Sequence, residues 1–282
     1  MLPPGLADRL KGLAARPDAR RLDRDPLGLV HEAKDRETAA LLGALLAFGN
    51  AKAIRRSLSA ALLAVEDGAP LAGRFRHRWI EGKDIDRLLA RVAEARERHG
   101  SLEDLFLAGD DGDLGHALDR FTGALRGPRP SRGLRFLLPR PNDGSACKRP
   151  LLFLRWVVRG GEADLGLWRR VDPARLVVPL DTHVHRIAYW LGLTSRRTPS
   201  WKTALEVTAS LREADPSDPA RFDFALAHLG ILGDCPRRPV AAKCAPCPLR
   251  PWCRAWRDDA VASSPAGSTF RQASGNPQIP RA

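Results

Sequence analysis

The sequence predicts an all-α protein without a transmembrane helix, and two observations lead to the all-α prediction. Apolar residues recur at intervals of three and four in several stretches, which is the spacing of one face of an α-helix. Alternating runs of β-branched residues are almost absent, and the nearest candidate strand, RLVVPL at 175–180, is interrupted by Pro179. The longest apolar runs, such as LLGALLAFG at 41–49, are much shorter than the roughly 20 residues of a transmembrane helix.

The main helices are expected, in chain order, at 37–48, at 86–98, at 114–126, from 148 onward, at 182–191 and at 218–232. Their apolar stripes include Leu88, Leu89, Val92 and Ala95, then Leu114, Leu118, Phe121 and Leu125, and finally Phe222, Ala225, Leu226 and Leu229. The last helix is expected to begin with Asp218 as N-cap and Pro219 in its first turn. Residues 127–145, rich in Pro, Gly and Arg, indicate a loop or hinge between two helical groups.

Charge and composition point to the partner and the compartment. The 282 residues carry a formal net charge of +13, and nucleic acid is the commonest partner of so basic a protein. The first residues lack the apolar core of a signal peptide, so we expect a cytoplasmic protein, associated with the nucleoid, and no membrane partner. Residues 258–282, rich in Ser, Gly, Pro and Asn, are expected to form a disordered tail.

Four of the five cysteines lie close together in the sequence. Cys235, Cys244, Cys247 and Cys253 follow the spacing C-x8-C-x2-C-x5-C within a loop at 235–253. Four such thiolates suit either a tetrahedral zinc ion or a [4Fe–4S] cluster. Because only one short C-x2-C pair is present, the spacing favours the [4Fe–4S] cluster, with zinc as the alternative. The fifth cysteine, Cys147, receives no role.

A second feature is the stretch PLDTHVHRIAYWLGL at 179–193. Val184, Ile187, Ala188 and Leu191 form a helical stripe, and Asp181 stands where an N-cap carboxylate belongs. Taken alone, this pattern predicts only a capping role for Asp181. His183 could pack against a neighbouring segment, and His185 could contact a phosphate.

Together the two features resemble a known superfamily. LDTHVHR at 180–186 is similar to the VDTHVxR stretch of the helix–hairpin–helix DNA glycosylases, and the cysteine loop resembles the iron–sulfur loop of endonuclease III and of the adenine glycosylase. The longer block from Lys148 to Arg186 also resembles a bacterial family of uncharacterised proteins near the archaeal 8-oxoguanine glycosylases. The resemblance covers about residues 36–256.

The resemblance implies a fold of two α-helical lobes with DNA bound between them and a C-terminal iron–sulfur loop. We then expect residues 1–35 to pack on the C-terminal lobe and residues 36–257 to form the glycosylase-like domain. The implied partner is double-stranded DNA with a damaged base or an abasic site, bound by a monomer.

The resemblance also implies two catalytic residues. Asp181 matches the aspartate that assists loss of the damaged base. DGSACK at 143–148 corresponds to the Pro-Gly-x-Gly-x-Lys hairpin of bifunctional members, with Gly144 retained and Ala146 in place of the second glycine. Lys148 then matches the nucleophile that forms a Schiff base, and its place at a helix start disfavours the ammonium form.

Several residues are candidates for binding DNA. Backbone amides around Gly144 and Ser145 would hold a phosphate. Further phosphate contacts are expected from Arg149, Arg155, Arg159 and Arg186, and from the basic residues of the cysteine loop, Arg237, Arg238, Lys243 and Arg250. Trp168, Trp156 and Phe153 could stack on a flipped base, and an oxidised purine is the first base to consider.

Three alternatives remain open. The first is a monofunctional glycosylase, in which Asp181 activates water and Lys148 only binds phosphate. The second is a non-catalytic DNA-binding protein with the same fold. The third is a zinc-containing RNA-binding module, which would be colourless where an iron–sulfur protein is brown.

Overall fold

The computed structural model describes residues 1–15, 25–161 and 163–258, and it confirms the all-α fold class. The α-helices of these residues are Leu6–Ala14, Pro26–Glu32, Arg36–Leu45, Ala51–Glu66, Gly82–His99, Leu102–Ala108, Leu114–Arg126, Arg132–Leu137, Lys148–Val158, Thr182–Leu191, Trp201–Ala214, Phe222–Ile231, Ala241–Cys244 and Arg254–Asp258. Short 3-10 helices occupy Pro141–Asp143, Pro173–Arg175, Pro219–Arg221 and Arg250–Trp252.

The centre of the fold is the contact between two helices, Arg36–Leu45 and Lys148–Val158. The first has buried side chains on every side from position 38 to position 45. Its Gly43 faces the indole of Trp156, and a side chain at position 43 would press against that ring. This close approach fixes the position of the helix that begins with Lys148.

The only sheet of the described residues is a two-stranded hairpin that the sequence analysis did not identify. Arg76–His77 pairs antiparallel with Ile80–Glu81, and Arg78 in the turn adopts a left-handed conformation with φ of 55°. The stretch 175–180, the nearest candidate for a strand but interrupted by Pro179, forms no strand and is an unpaired connector. Its apolar residues reflect burial rather than sheet formation, because Leu176, Val177 and Val178 are buried and the Val178 amide donates to the Thr208 hydroxyl at 3.0 Å.

The expected loop at 127–145 contains a helix, Arg132–Leu137. Ser131 caps this helix by accepting from the Leu134 amide at 3.1 Å, and Leu134 and Leu137 are buried. Such a short helix is stabilised by its cap and its packing rather than by propensity. The expectation was wrong because the Pro-, Gly- and Arg-rich composition of the segment hides that cap.

The predicted helix at 218–232 begins later than expected. Pro219–Arg221 is a 3-10 turn, and the α-helix runs from Phe222 to Ile231. Asp218 does not cap the helix with its side chain, because its carboxylate accepts from the Arg159 guanidinium at 2.8 and 2.9 Å.

The first helix, Leu6–Ala14, packs against Trp201–Ala214 and Phe222–Ile231, with Leu6 and Leu10 buried. Residues 16–24 and nearly all of the expected tail at 258–282 lie outside the described residues.

Candidate active site

A cavity of about 1040 Å³ lies between the starts of two helices. Its lining includes the first turns of Lys148–Val158 and Thr182–Leu191, one side of Phe222–Ile231, and the loop Ala47–Gly49. Lys148 and Asp181, the two predicted catalytic residues, both line this cavity. Residues far apart in the sequence are thus brought to one place.

Lys148 is positioned by the turn that precedes its helix. Gly144 and Cys147 both adopt left-handed conformations, with φ of 73° and 50°, so the chain reverses sharply before the helix begins. The Lys148 amine then reaches the Ala47 carbonyl, to which it donates a hydrogen bond at 2.8 Å.

The surroundings of Lys148 favour its neutral form. Burial lowers the pKa of the amine, and the carboxylates of Asp181 and Asp223 only partly oppose that shift. A neutral amine is the form that can act as a nucleophile.

Asp181 is the N-cap of the helix Thr182–Leu191. Its Oδ1 accepts hydrogen bonds from the amides of His183 and Val184, each at 2.7 Å. Among the described residues nothing donates to Oδ2. The capping bonds therefore hold the carboxylate in one orientation while leaving one oxygen able to act on a group in the cavity.

Two further carboxylates line the cavity and were missed by the sequence analysis. Asp25 caps the helix Pro26–Glu32 through the Leu27 amide at 2.9 Å, and Asp223 is buried beside Arg155. Burial raises the pKa of Asp223 to about 6, although Arg155 works against that rise. The available sequence signal was a lone acidic residue in the apolar helix FDFALAHLGI.

Arg155 and Arg159 are not placed to contact phosphate. Arg155 is 3 % exposed and forms ion pairs with Asp164, at 3.0 Å, and with Asp223. Arg159 pairs with Asp164 and Asp218. These interactions satisfy both guanidinium groups inside the protein, and Arg155, which lines the cavity, joins its wall to Asp164.

The residues in and after the turn at 143–148 that were proposed to bind phosphate differ in their surroundings. Gly144 is exposed, and apart from its neighbours in the chain no atom of the described residues lies within 4 Å of a Cβ added there. Ser145 accepts from the Cys147 amide at 3.2 Å. Arg149 donates to the carbonyls of Phe136 and Leu137, so a phosphate contact by Arg149 would require these bonds to break.

Cys147 lies in the turn before Lys148, and its thiol is inert. It is fully buried, and its Sγ lies 3.5 Å from the Pro139 carbonyl oxygen. Burial raises the pKa of the thiol to about 12, so it stays protonated and unreactive near neutral pH.

The residues after Asp181 connect the cavity to the cysteine loop. His183 lines the cavity and packs on Gly230, where its ring leaves no space for a side chain. His185 shares a hydrogen bond with the Arg196 carbonyl at 3.0 Å. Arg186 donates to the Cys235 carbonyl at 2.7 Å and lies over the Trp190 ring, and this links the aspartate helix to the cysteine loop.

The aromatic candidates separate into two groups. Trp156 lines the cavity, and its buried Nε1 has no hydrogen-bond partner among the described residues. Trp168 is in the core instead, where it contacts Phe106, Phe121 and Phe153 and donates to Glu37 at 2.7 Å. Neither Trp168 nor Phe153 is positioned to stack on a base in the cavity.

The cysteine loop borders a second, smaller cavity of about 390 Å³. Cys235, Cys247 and Cys253 line it, and Cys244 lies nearby on the helix Ala241–Cys244. No three His, Cys, Asp or Glu side chains of the described residues are arranged as a metal site. The four thiols and the cavity beside them nevertheless fit a metal centre chemically, because thiolates suit zinc and iron–sulfur clusters.

Comparisons with known proteins give one match. A family model described as "Protein of unknown function (DUF2400)" matches residues 25–232, a span that contains Lys148 and Asp181 and ends before the cysteine loop. No curated protein and no solved structure matches the chain. No helix in the described part of the chain is long and apolar enough to cross a bilayer.

Proposed function

The chain belongs to the DUF2400 family, whose function is unknown, and we propose that it is a DNA glycosylase with AP lyase activity. Its substrate would be duplex DNA that contains a damaged base or an abasic site, with an oxidised purine as the first base to test. The observation that carries the proposal is the meeting of Lys148 and Asp181 in one cavity large enough for a flipped nucleotide.

The reaction begins with the neutral amine of Lys148. It attacks C1′ of the flipped nucleotide while the bond from C1′ to the base breaks, and the base leaves with that electron pair and takes up a proton. Positive charge develops on the sugar during this step, and the free oxygen of the Asp181 carboxylate stabilises it. The bond between Lys148 and the sugar replaces the glycosidic bond.

Strand cleavage follows from the covalent intermediate. The amine loses a proton, and the C1′–O4′ bond of the sugar ring breaks as the Schiff base forms between Nζ and C1′. The electron pair of the broken bond goes to O4′, which takes up a proton. Loss of a proton from C2′ then expels the 3′ phosphate and nicks the strand. Water hydrolyses the remaining Schiff base and returns Lys148 to its free form.

The proposed helix–hairpin–helix character of the site is supported by its local geometry. Arg132–Leu137, the turn through Gly144 and Lys148–Val158 follow one another as helix, hairpin and helix. In this arrangement the exposed turn at Gly144 would lie against the DNA backbone. The positive net charge of +13 would favour that contact.

The cysteine loop is proposed to hold a [4Fe–4S] cluster, with zinc as the alternative. Cys235, Cys244, Cys247 and Cys253 would be its ligands. When bound, such a centre would fix the loop in place without a part in the reaction. Because Arg186 joins the loop to the aspartate helix, a fixed loop would also steady the wall of the cavity.

The test is borohydride trapping. The purified protein is mixed with duplexes that contain an abasic site, 8-oxoguanine or thymine glycol, and borohydride reduces any Schiff base to a stable adduct. We expect an adduct with the wild type and none with Lys148→Gln, whose secondary structure and melting temperature serve as controls for folding.

A monofunctional glycosylase remains the second candidate, because the Lys148 amine already donates a hydrogen bond to Ala47. In that enzyme Asp181 would activate water. Base release without any adduct would favour it, whereas DNA binding without base release or adduct would exclude both enzymes.

A further inference from the structure

A group of exposed arginines lies around the two-stranded hairpin. Arg76 and Arg78 are in the hairpin, and Arg132 and Arg135 are one turn apart on the helix Arg132–Leu137. Among the described residues none of these four forms an ion pair. Some exposed arginines elsewhere do pair, as Arg98 does with Glu94 at 3.0 Å. Others, such as Arg87 and Arg197, have no ion pair among the described residues, so the four are distinguished by their position around the hairpin. Four unneutralised guanidinium groups indicate an anionic partner.

Aromatic rings lie between these arginines. The half-buried ring of Trp79 is 4.7 Å from that of Phe136, measured between centroids. The Arg132 guanidinium lies 5.1 Å from the centroid of Trp79. We call Arg76, Arg78, Trp79, Arg132, Arg135 and Phe136 the hairpin surface. It combines ring faces with cations, as surfaces that bind unpaired nucleic acid do.

The hairpin surface is continuous with the rim of the large cavity. Phe48 lines the cavity, and its ring is 5.0 Å from that of Phe136. On the same rim, the Arg78 side chain lies beside Gly49, where an added Cβ would be 3.5 Å from the Arg78 Cδ. A DNA strand with one nucleotide in the cavity would therefore run onto this surface.

We propose that the hairpin surface binds single-stranded DNA next to the nucleotide held in the cavity. One unpaired base would stack on Trp79, while Arg76, Arg78, Arg132 and Arg135 would contact the phosphates on either side. Paired bases within a duplex offer no free face to an aromatic ring, so the surface would select unpaired DNA. The position relative to a flipped nucleotide rests on the proposed function, but the binding itself does not require a lesion.

The experiment measures binding of undamaged DNA by fluorescence anisotropy. The probes are a labelled oligothymidylate and a labelled duplex of equal length. Trp79→Leu keeps an apolar side chain against Phe136 but removes the ring face, and Trp79→Phe keeps a ring. Arg98→Ala is the control for loss of one charge, because Arg98 lies 16 residues beyond Gly82 along its helix, about 24 Å away at 1.5 Å per residue.

We expect Trp79→Leu to weaken oligothymidylate binding by roughly 5- to 150-fold, the range for loss of one stacked base. Trp79→Phe should lose much less, and Arg98→Ala should bind as the wild type does. Arg132→Ala should lower the salt dependence of single-strand binding, by about 0.7 in the slope of log K against log salt for one lost phosphate contact.

Three results would overturn this proposal. The first is wild-type affinity of Trp79→Leu for the oligothymidylate, and the second is no binding of single strands by the wild type. The third is an equal loss of affinity for duplex and single strand, which would assign the surface to a duplex backbone. The proposed function is tested separately by borohydride trapping, because an adduct through Lys148 can form whichever result the oligothymidylate gives.

Discussion

The amine of Lys148 lies in the field of three carboxylates that come from separate parts of the chain, Asp25, Asp181 and Asp223. Each of them favours the ammonium form, while burial disfavours it more strongly. The protonation of Lys148 is therefore set by a balance that single substitutions can move, and that balance can be measured if Lys148 is the nucleophile.

Asp223→Asn should shift the pH dependence of Schiff-base formation to lower pH. The ionised carboxylate of Asp223 raises the pKa of Lys148, so its removal lowers that pKa and leaves more neutral amine at a given pH. Because the pKa of Asp223 is about 6, the carboxylate is protonated below that pH and the difference from the wild type should disappear there. The measurement is the rate of borohydride-trapped adduct on an abasic duplex across the pH range.

A matched control for this variant is Asp110→Asn, which removes a carboxylate paired with Arg175 outside the cavity. It should leave the pH profile where it is in the wild type. In Asp223→Asn, Arg155 keeps its pair with Asp164, so the protein should fold. A profile that stays in place, or one that moves to higher pH, would mean that Asp223 does not act on the reacting amine.

Trp168→Phe should reduce stability without changing base release. The substitution keeps a ring among Phe106, Phe121 and Phe153 but removes the hydrogen bond from Nε1 to Glu37. Loss of that bond and of part of the ring should cost about 1–2 kcal/mol in the free energy of unfolding. Urea unfolding measures the loss of stability. A changed preference among damaged bases would contradict this prediction and would mean that Trp168 contacts the base.

At the scale of single elements, the two-stranded hairpin depends on a glycine at the start of the next helix. Gly82 lies against the backbone of Leu71 and Ala72, and a Cβ at position 82 would overlap the Leu71 carbonyl. Backbone atoms cannot move aside as a flexible side chain can. The segment 71–82, and with it the hairpin surface, is therefore held by this close approach.

Gly82→Ala should destabilise the protein by about 2 kcal/mol or more, because the clash forces the backbone to shift. Gly12→Ala is the matched control, since Gly12 is also helical and, among the described residues, nothing outside its own helix backbone and its two chain neighbours lies within 4 Å of an added Cβ. That substitution should raise stability by about 0.5–1 kcal/mol through lower entropy of the unfolded chain. Thermal unfolding of both variants provides the comparison, and equal melting temperatures would contradict it.

For the whole molecule, the sequence predicts the helices well where their caps and stripes are plain. The helix Leu114–Arg126 begins and ends where its stripe does, and Asp181 caps its helix as expected. It does not predict the helix Arg132–Leu137, because the Pro-, Gly- and Arg-rich composition hides the Ser131 cap, or the short hairpin at 76–81, whose turn depends on the left-handed conformation of Arg78. The pairing of Asp218 with Arg159 is missed because the two residues are 59 positions apart in the sequence. Lys148 and Asp181 are accessible to motif reasoning, whereas Asp25 and Asp223 join the cavity only through the packing of helices.

The composition of the cysteine loop can be tested on the whole protein. If the four loop cysteines hold a [4Fe–4S] cluster, protein purified without oxygen should be brown and contain about four iron atoms per chain. Cys247→Ser should lose most of this iron and should melt at a lower temperature, because bound metal stabilises only the folded loop.

The matched control is Cys147→Ser. Cys147 is buried in the turn before Lys148, far from the cysteine loop in sequence, and contacts the Pro139 carbonyl. It should keep its iron, because the serine replaces a thiol that is not a ligand. A colourless protein with about one zinc per chain would mean that the same four thiolates bind zinc. A protein with neither metal would leave the loop to be held by Arg186 and its own packing.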